Sequence, residues 1–231
     1  MTKISVLIPC YNEEKTILEI LGQVKAQKFP GFEFEVIVVD DGSKDSTVSL
    51  LKANPGLYTQ LYQMPKNGGK GAAVRAGLGL ATGDYILFQD ADLEYDPKDY
   101  EKLLMPVTQF NPDIVMGSRF LAPTFTRVAY FWHKLGNGFI TLLFNVTNNT
   151  TFTDIYSCYL MYKRELISPT ELKTDGWQQQ AEILSLAVSR GKVFYEVPIS
   201  YHGRTYEEGK KIRAHHVLGV FWAIIATRMR K

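Results

Sequence analysis

Cysteine is scarce in this chain. Cys10 and Cys158 are the only two in 231 residues, far apart and outside any C-x-x-C spacing, which argues against a disulfide framework and a zinc site. A surplus of one charge is also missing: 26 basic against 24 acidic residues leave +2, too little to imply a nucleic-acid partner. Long apolar runs are absent. The most apolar stretch, residues 217–226, is about half the roughly twenty residues that a spanning helix needs. No basic n-region with a cleavable apolar segment follows Met1, so no secretory signal is expected and the expected location is cytoplasmic. The G-x-G-x-x-G fingerprint is missing after the first apolar run, which disfavours a Rossmann dehydrogenase.

What is present is a folding chain. Hydrophobic residues make up 45% and charged residues 22%, which excludes disorder and coiled-coil or collagen-like structure. Short β-branched or aromatic runs alternate with helix-period segments, the pattern of an α/β sheet. Strands are expected at residues 4–8, 34–39, 58–63, 85–89 and 114–117, with helices at 14–27, 46–52, 70–81 and 97–107 between them. Further along, strands are expected at 157–162 and 193–198 and a helix at 181–189. Two amphipathic helices, at 128–146 and 211–228, complete the reading. One domain over 1–231 is expected, with a half at 1–118 and another at 119–231. The first 100 residues carry a net charge of −4 and the remainder +6, which points to an anionic ligand or surface near the second half.

The chemistry concentrates at strand ends. Asp90, Asp92 and Glu94 follow the apolar run 85–89 at alternate positions, so an extended chain puts their carboxylates on one side. Converging carboxylates need a cation, and hard oxygen ligands suit Mg²⁺ or Mn²⁺ together with substrate phosphates. An EF-hand fails on Tyr95, where glycine is needed, on Pro97, and on the strand that precedes the loop. Acidic turns follow the first two strands, Pro9-Cys-Tyr11-Asn-Glu13-Glu14 and Asp40-Asp41-Gly-Ser-Lys-Asp45. Asn67-Gly-Gly-Lys70-Gly lacks the P-loop spacing and reads as a helix start.

Taken in order, seven blocks resemble the family 2 glycosyltransferases of the GT-A fold, among them the dolichol-phosphate and polyprenyl-phosphate mannose synthases and related glucosyltransferases. The blocks are Ile8-Pro-Cys-Tyr-Asn-Glu13, Val38-Val-Asp-Asp-Gly-Ser43, Asn67-Gly-Gly-Lys-Gly71, Asp90-Ala-Asp-Leu-Glu94, Gly117-Ser-Arg119, Asp154-Ile-Tyr-Ser-Cys-Tyr159, and Glu196 to Arg204 with Glu208 to Ile212. The resemblance implies a Rossmann-like mixed sheet flanked by helices, with amphipathic helices in the acceptor half. It also implies inverting transfer of a hexose from a nucleotide sugar of the GDP-mannose or UDP-glucose type.

By the same resemblance, Pro9, Tyr11, Glu13, Val39 and Asp41 hold the nucleoside, and Asp90, Ala91 and Asp92 line the donor site with Lys70. Asp92 and Glu94 ligate Mg²⁺ or Mn²⁺, Glu94 standing where such synthases often carry Gln. Arg119, Arg204 and Lys210 match basic positions near the phosphates. A sugar-hydroxyl acceptor needs a general base, for which Asp154 and Glu182 are the candidates; a polyprenyl phosphate is already ionised and needs none. Residues 177–182 lack the Glu-Asp dipeptide associated with many sugar-acceptor members, which favours the lipid phosphate over a saccharide. The amphipathic segments and the terminal Arg228, Arg230 and Lys231 suit reversible attachment to an anionic membrane surface.

Overall fold

The computed structural model describes residues 1–121, 131–203 and 216–230. In chain order its main elements are β1 (Thr2–Cys10), α1 (Ile17–Ala26), β2 (Phe32–Asp40), α2 (Thr47–Ala53), β3 (Gln60–Gln63), α3 (Lys70–Leu78) and β4 (Tyr85–Phe88). There follow α4 (Tyr100–Phe110), β5 (Ile114–Ser118), α5 (Phe131–Asn148), β6 (Leu160–Lys163), α6 (Gln179–Arg190), β7 (Phe194–Pro198) and α7 (His216–Met229). The strands form one seven-stranded sheet in the order β3-β2-β1-β4-β6-β5-β7. β6 runs antiparallel to both of its neighbours, and the other pairings are parallel.

The continuous apolar runs of β1, β2 and β4 belong to strands covered on both faces. Ile4, Val6, Leu7 and Ile8 of β1 and all four residues of β4 are buried. α1 packs on the sheet through Ile17, Ile20, Leu21 and Val24, spaced by three, one and three residues along one helical face.

α1 begins three residues later than its apolar period suggests. Asn12 is left-handed at φ +53°, and the Glu13 and Glu14 N–H groups donate to Thr47 Oγ1 and Asp45, across the turn after β2. Those donors are therefore committed to the neighbouring turn before the helix starts. β3 is shorter than expected because Pro55–Leu57 forms a 3₁₀ turn and pairing begins at Gln60. β6 begins at Leu160; residues 157–159, expected as strand, run beside the candidate site instead.

The two amphipathic helices each bury one side and leave apolar residues uncovered on the other. α5 buries Ile140, Thr141 and Phe144, so the stripe of Phe131, Trp132, Leu135, Phe139, Leu142 and Val146 faces outward. α7 buries Val220, Ala223, Ile224 and Thr227, leaving Trp222, Ile225 and Met229 exposed. Periodicity identifies a face without saying whether protein covers it. Residues 128–130 of the first expected helix and 211–215 of the second lie outside the described residues.

Candidate active site

β1 lies between β2 and β4, and the strand order departs in both directions from it. The crevice beyond the C-terminal ends of such strands is where open α/β sheets bind ligands. Pro9 and Tyr11 are half-buried at the end of β1, Val39 is buried beside Pro9 near the end of β2, and Glu13 and Asp41 are buried in the adjoining turns. The Asp41 carboxylate accepts N–H bonds from Gly68 (2.7 Å) and Gly69 (2.9 Å). Burial holds its pKa above the ordinary value, against the opposing pull of those two bonds. Gly42, at φ +73°, packs so closely that a Cβ there would sit 2.8 Å from Asn67 N. The acidic turn and the glycine turn are thus locked together, and Asp41 ties the two.

The glycine segment is a helix start, as its spacing indicates. α3 begins at Lys70, and the Asp175 carbonyl accepts the N–H of Gly71 (2.7 Å) and of Ala72 (3.3 Å). A Cβ on Gly71 would lie 2.6 Å from Thr174 O. Lys70 Nζ contacts Asp90 Oδ1 at 2.5 Å and lies 5.4 Å from the Trp177 ring centre. Burial opposes the Lys70 charge, but the Asp90 carboxylate outweighs it and raises the ammonium's pKa.

The acidic loop departs from the extended geometry read from its spacing. β4 ends at Phe88, the chain turns, and Leu93 is left-handed at φ +63°. The carboxylates consequently fan apart, a geometry that relieves their repulsion. Asp90 meets Lys70, Asp92 Oδ1 accepts the Glu94 N–H at 3.1 Å, and Glu94 Oε2 accepts the Tyr201 hydroxyl at 2.9 Å. Among the described residues, no three His, Cys, Asp or Glu side chains form a ready-made metal cluster. Asp92 and Glu94 are half-buried and offer hard oxygens only, which fits Mg²⁺ or Mn²⁺ held by one or two carboxylates with water and phosphate oxygens.

Arg119, just after β5, donates from Nε (2.7 Å) and Nη2 (2.9 Å) to the two oxygens of Asp154 and lies 4.9 Å from the Tyr201 ring centre. Asp154 is fully buried and also accepts from Asn137 of α5 at 3.1 Å. Burial raises its pKa, but the Arg119 charge and these bonds outweigh it, so the carboxyl titrates below its usual range. Such a carboxylate is a poor proton acceptor. Glu182, on α6, is also fully buried. It accepts from the N–H of Lys173 and Thr174, from Thr174 Oγ1 (2.6 Å) and from Arg230 Nη1 (2.8 Å). Both candidate bases are therefore fixed in hydrogen-bonded ion pairs. Arg204 and Lys210 lie outside the described residues.

Several residues around this crevice escape sequence reasoning. Gln89 accepts the phenolic hydroxyls of both Tyr100 and Tyr159 at 2.8 Å, and its amide donates to the Asp90 carbonyl at 3.0 Å. Tyr95 packs between the rings of Tyr159 and Tyr201. The His202 N–H donates to the Glu94 carbonyl at 2.9 Å, binding segment 200–203 to the acidic loop. Cys158 lies beside Asp90 and Lys70, where burial first and Asp90 second keep it a neutral thiol. The one available signal was the polar residue, Gln89, at the end of an otherwise apolar strand.

A family model described as glycosyl transferase family 2 matches residues 5–169. Dolichyl-phosphate beta-glucosyltransferase of Drosophila melanogaster is 30% identical, over 91% of this chain and 69% of its own length. Undecaprenyl-phosphate 4-deoxy-4-formamido-L-arabinose transferase of Enterobacter sp. (strain 638) is 28% identical, over 90% and 62%. The chain thus spans about two-thirds of the length of these relatives. Among solved structures, glucosyl-3-phosphoglycerate synthase from Mycobacterium tuberculosis, in complex with Mn²⁺, UDP and glucosyl-3-phosphoglycerate, superimposes with a TM-score of 0.69. It is 20% identical and is matched over 99% of this chain and 80% of its own. S. aureus TarS 1-349 in complex with UDP-GlcNAc gives a TM-score of 0.65 at 20% identity, over 97% and 66%. These likenesses establish the GT-A fold.

Proposed function

Because the chain belongs to glycosyl transferase family 2 and is a transferase enzyme, we propose that it moves a hexose from a nucleotide sugar to a polyprenyl phosphate at a membrane surface, with inversion. The observation that carries the acceptor is the two-faced helix α5. Its inner side supplies Asn137 to Asp154 in the crevice, and its outer side presents an uncovered apolar stripe. Contiguous exposed apolar surface marks an interaction site, and a lipid-linked acceptor brings a bilayer with it. Among the described residues no helix is long and apolar enough to cross a membrane, so α5 and α7 are proposed to lie in the interface. Relatives named for dolichyl and undecaprenyl phosphate support the same acceptor class.

The chemistry follows from charge. Pro9, Tyr11, Glu13, Val39 and Asp41 surround the proposed nucleoside position, with Asp90, Ala91 and Lys70 beside the donor phosphates. Asp92 and Glu94 would hold Mg²⁺ or Mn²⁺, which supplies positive charge to the diphosphate leaving group. Arg204 and Lys210 are proposed to add cationic stabilisation as that charge develops, and Arg119 supports the acidic loop through Tyr201. The acceptor phosphate is already ionised near neutral pH, its second pKa being about 6, so no base is required. That agrees with Asp154 and Glu182 being held in ion pairs.

The test supplies radiolabelled nucleotide sugars with either polyprenyl phosphate or soluble saccharides and extracts the products with butanol. Label entering the butanol phase only with polyprenyl phosphate is expected. Transfer to saccharide alone overturns the acceptor assignment.

A further inference from the structure

The contacts of Glu182 form a continuous bridge from Arg230, just past the end of α7, to the donor crevice. Arg230 Nη1 meets Glu182 Oε1 at 2.8 Å, and the Arg230 side chain is about half exposed while that of Glu182 is wholly buried. The same carboxylate receives the N–H groups of Lys173 and Thr174 and the Thr174 hydroxyl, so it fixes two successive residues of the loop before α6. The next residue, Asp175, closes the start of α3 with its carbonyl, and its side chain pairs with Arg75 of the same helix at 2.6 Å. Two residues further, Trp177 lies under Lys70, its carbonyl held by the Tyr156 hydroxyl at 2.8 Å. Lys70 in turn holds Asp90.

There is little slack in this bridge. Gly69 and Gly71 admit the 174–175 backbone so closely that a Cβ on either would approach within 2.6 Å of a carbonyl oxygen. Any shift of the loop therefore shifts the first turn of α3, where Lys70 sits.

We infer that Glu182 and Arg230 are positioning residues that hold loop 173–177 against α3 and so set Lys70 and Asp90 in the geometry that receives the donor diphosphate. The inference rests on the donor-site reading above. Glu182 acts at a distance and touches no reacting atom, which separates it from a general base. A base would lower kcat when removed and leave donor affinity intact; a brace of Lys70 changes donor affinity first.

The experiment uses the full chain and titrates UDP and GDP, each with MnCl₂ and without acceptor, by calorimetry. Arg230→Ala is the principal variant because its half-exposed side chain can be removed without emptying the core; Glu182→Gln is the second. Arg230→Ala is expected to weaken the nucleotide that the wild type binds by about fivefold to twentyfold, the scale of coupling between contacting residues. Arg230→Lys should restore most of that loss. In a Lys70→Met background Arg230→Ala should change affinity by less than about twofold, because the bridge then has no endpoint. Unchanged affinity in Arg230→Ala, or a full additional loss in the Lys70→Met background, overturns the inference while the donor site stands. A fall in kcat for Glu182→Gln with unaltered nucleotide affinity also overturns it, in favour of a base. Binding of neither nucleotide by the wild type removes the donor-site reading and this inference together.

Discussion

Replacing Phe139 and Leu142 by Ser tests whether the outer face of α5 meets lipid. Their side chains are 62% and 57% exposed, so the fold itself loses little when they are shortened. Full burial of such a side chain contributes about 1.5–3 kcal/mol, and scaling by exposure gives about 1–2 kcal/mol each on entering a bilayer. Allowing for incomplete insertion, the pair is worth about 2–3 kcal/mol, or on the order of 30- to 150-fold in membrane partition. The assay is cosedimentation with anionic liposomes, followed by transfer to a long-chain polyprenyl phosphate and to a short soluble analogue. Liposome binding and long-chain transfer should fall together while short-chain transfer is retained, and binding should weaken at high salt. Leu143→Ser provides the contrast: Leu143 packs against the core, so its loss should lower stability and depress both activities alike. Equal loss with both acceptors in the Phe139/Leu142 variant would refute the interface and make the stripe a protein contact.

Asp92→Asn is expected to abolish most transfer without changing the circular dichroism spectrum, and EDTA should do the same until Mn²⁺ or Mg²⁺ is restored; full activity in EDTA rules out the metal role. Arg204→Ala should lower kcat more than donor affinity if its contact strengthens with leaving-group charge, and an unchanged kcat counts against that role. Gly71→Ala forces a Cβ against the Thr174 carbonyl and should cost about 1–3 kcal/mol, measured by urea denaturation. Glu35 provides a pH test. Burial raises its pKa, but bonds from Ser5, Thr82 and Lys3 outweigh this and hold it at about 2 against 4.5. Its depressed folded value contributes up to about 3 kcal/mol at neutral pH, stability that begins to fade below about pH 4.5 and is gone below about pH 2. The stability difference between wild type and Glu35→Gln should narrow by about 2 kcal/mol from pH 7 to pH 3, and a pH-independent difference contradicts the assignment.

The left side of the sheet was legible because β1, β2 and β4 are largely buried on both faces and therefore read as mainly apolar runs, those of β2 and β4 leading into acids. The chain positions of Asp41, Asp90, Asp92 and Glu94 at strand ends followed directly. Their side-chain directions did not, because one left-handed residue, Leu93, turns the loop away from the extended period. The partners of Asp154 and Glu182 were illegible for a different reason. Arg119 and Arg230 lie 35 and 48 positions away, and ion pairs at such separations leave no local pattern. α5 shows the remaining limit: a helical period records an apolar stripe equally well whether protein or lipid covers it.

The antiparallel strand β6 has a consequence for synthesis. β5 has β6 and β7 as its sheet neighbours, and both are made after it. Once residue 118 has left the ribosome, β3, β2, β1 and β4 can pair, but β5 has nothing to join and β4 presents an open edge of four apolar residues, Tyr85–Phe88. A bare apolar edge is a template for wrong pairing. At about 5–20 residues per second, Lys163 at the end of β6 follows roughly 2–9 seconds later. During that interval the β4 edge is expected to stay open to such pairing. Slowing translation between codons 118 and 163 should therefore increase aggregation more than the same delay placed after β7.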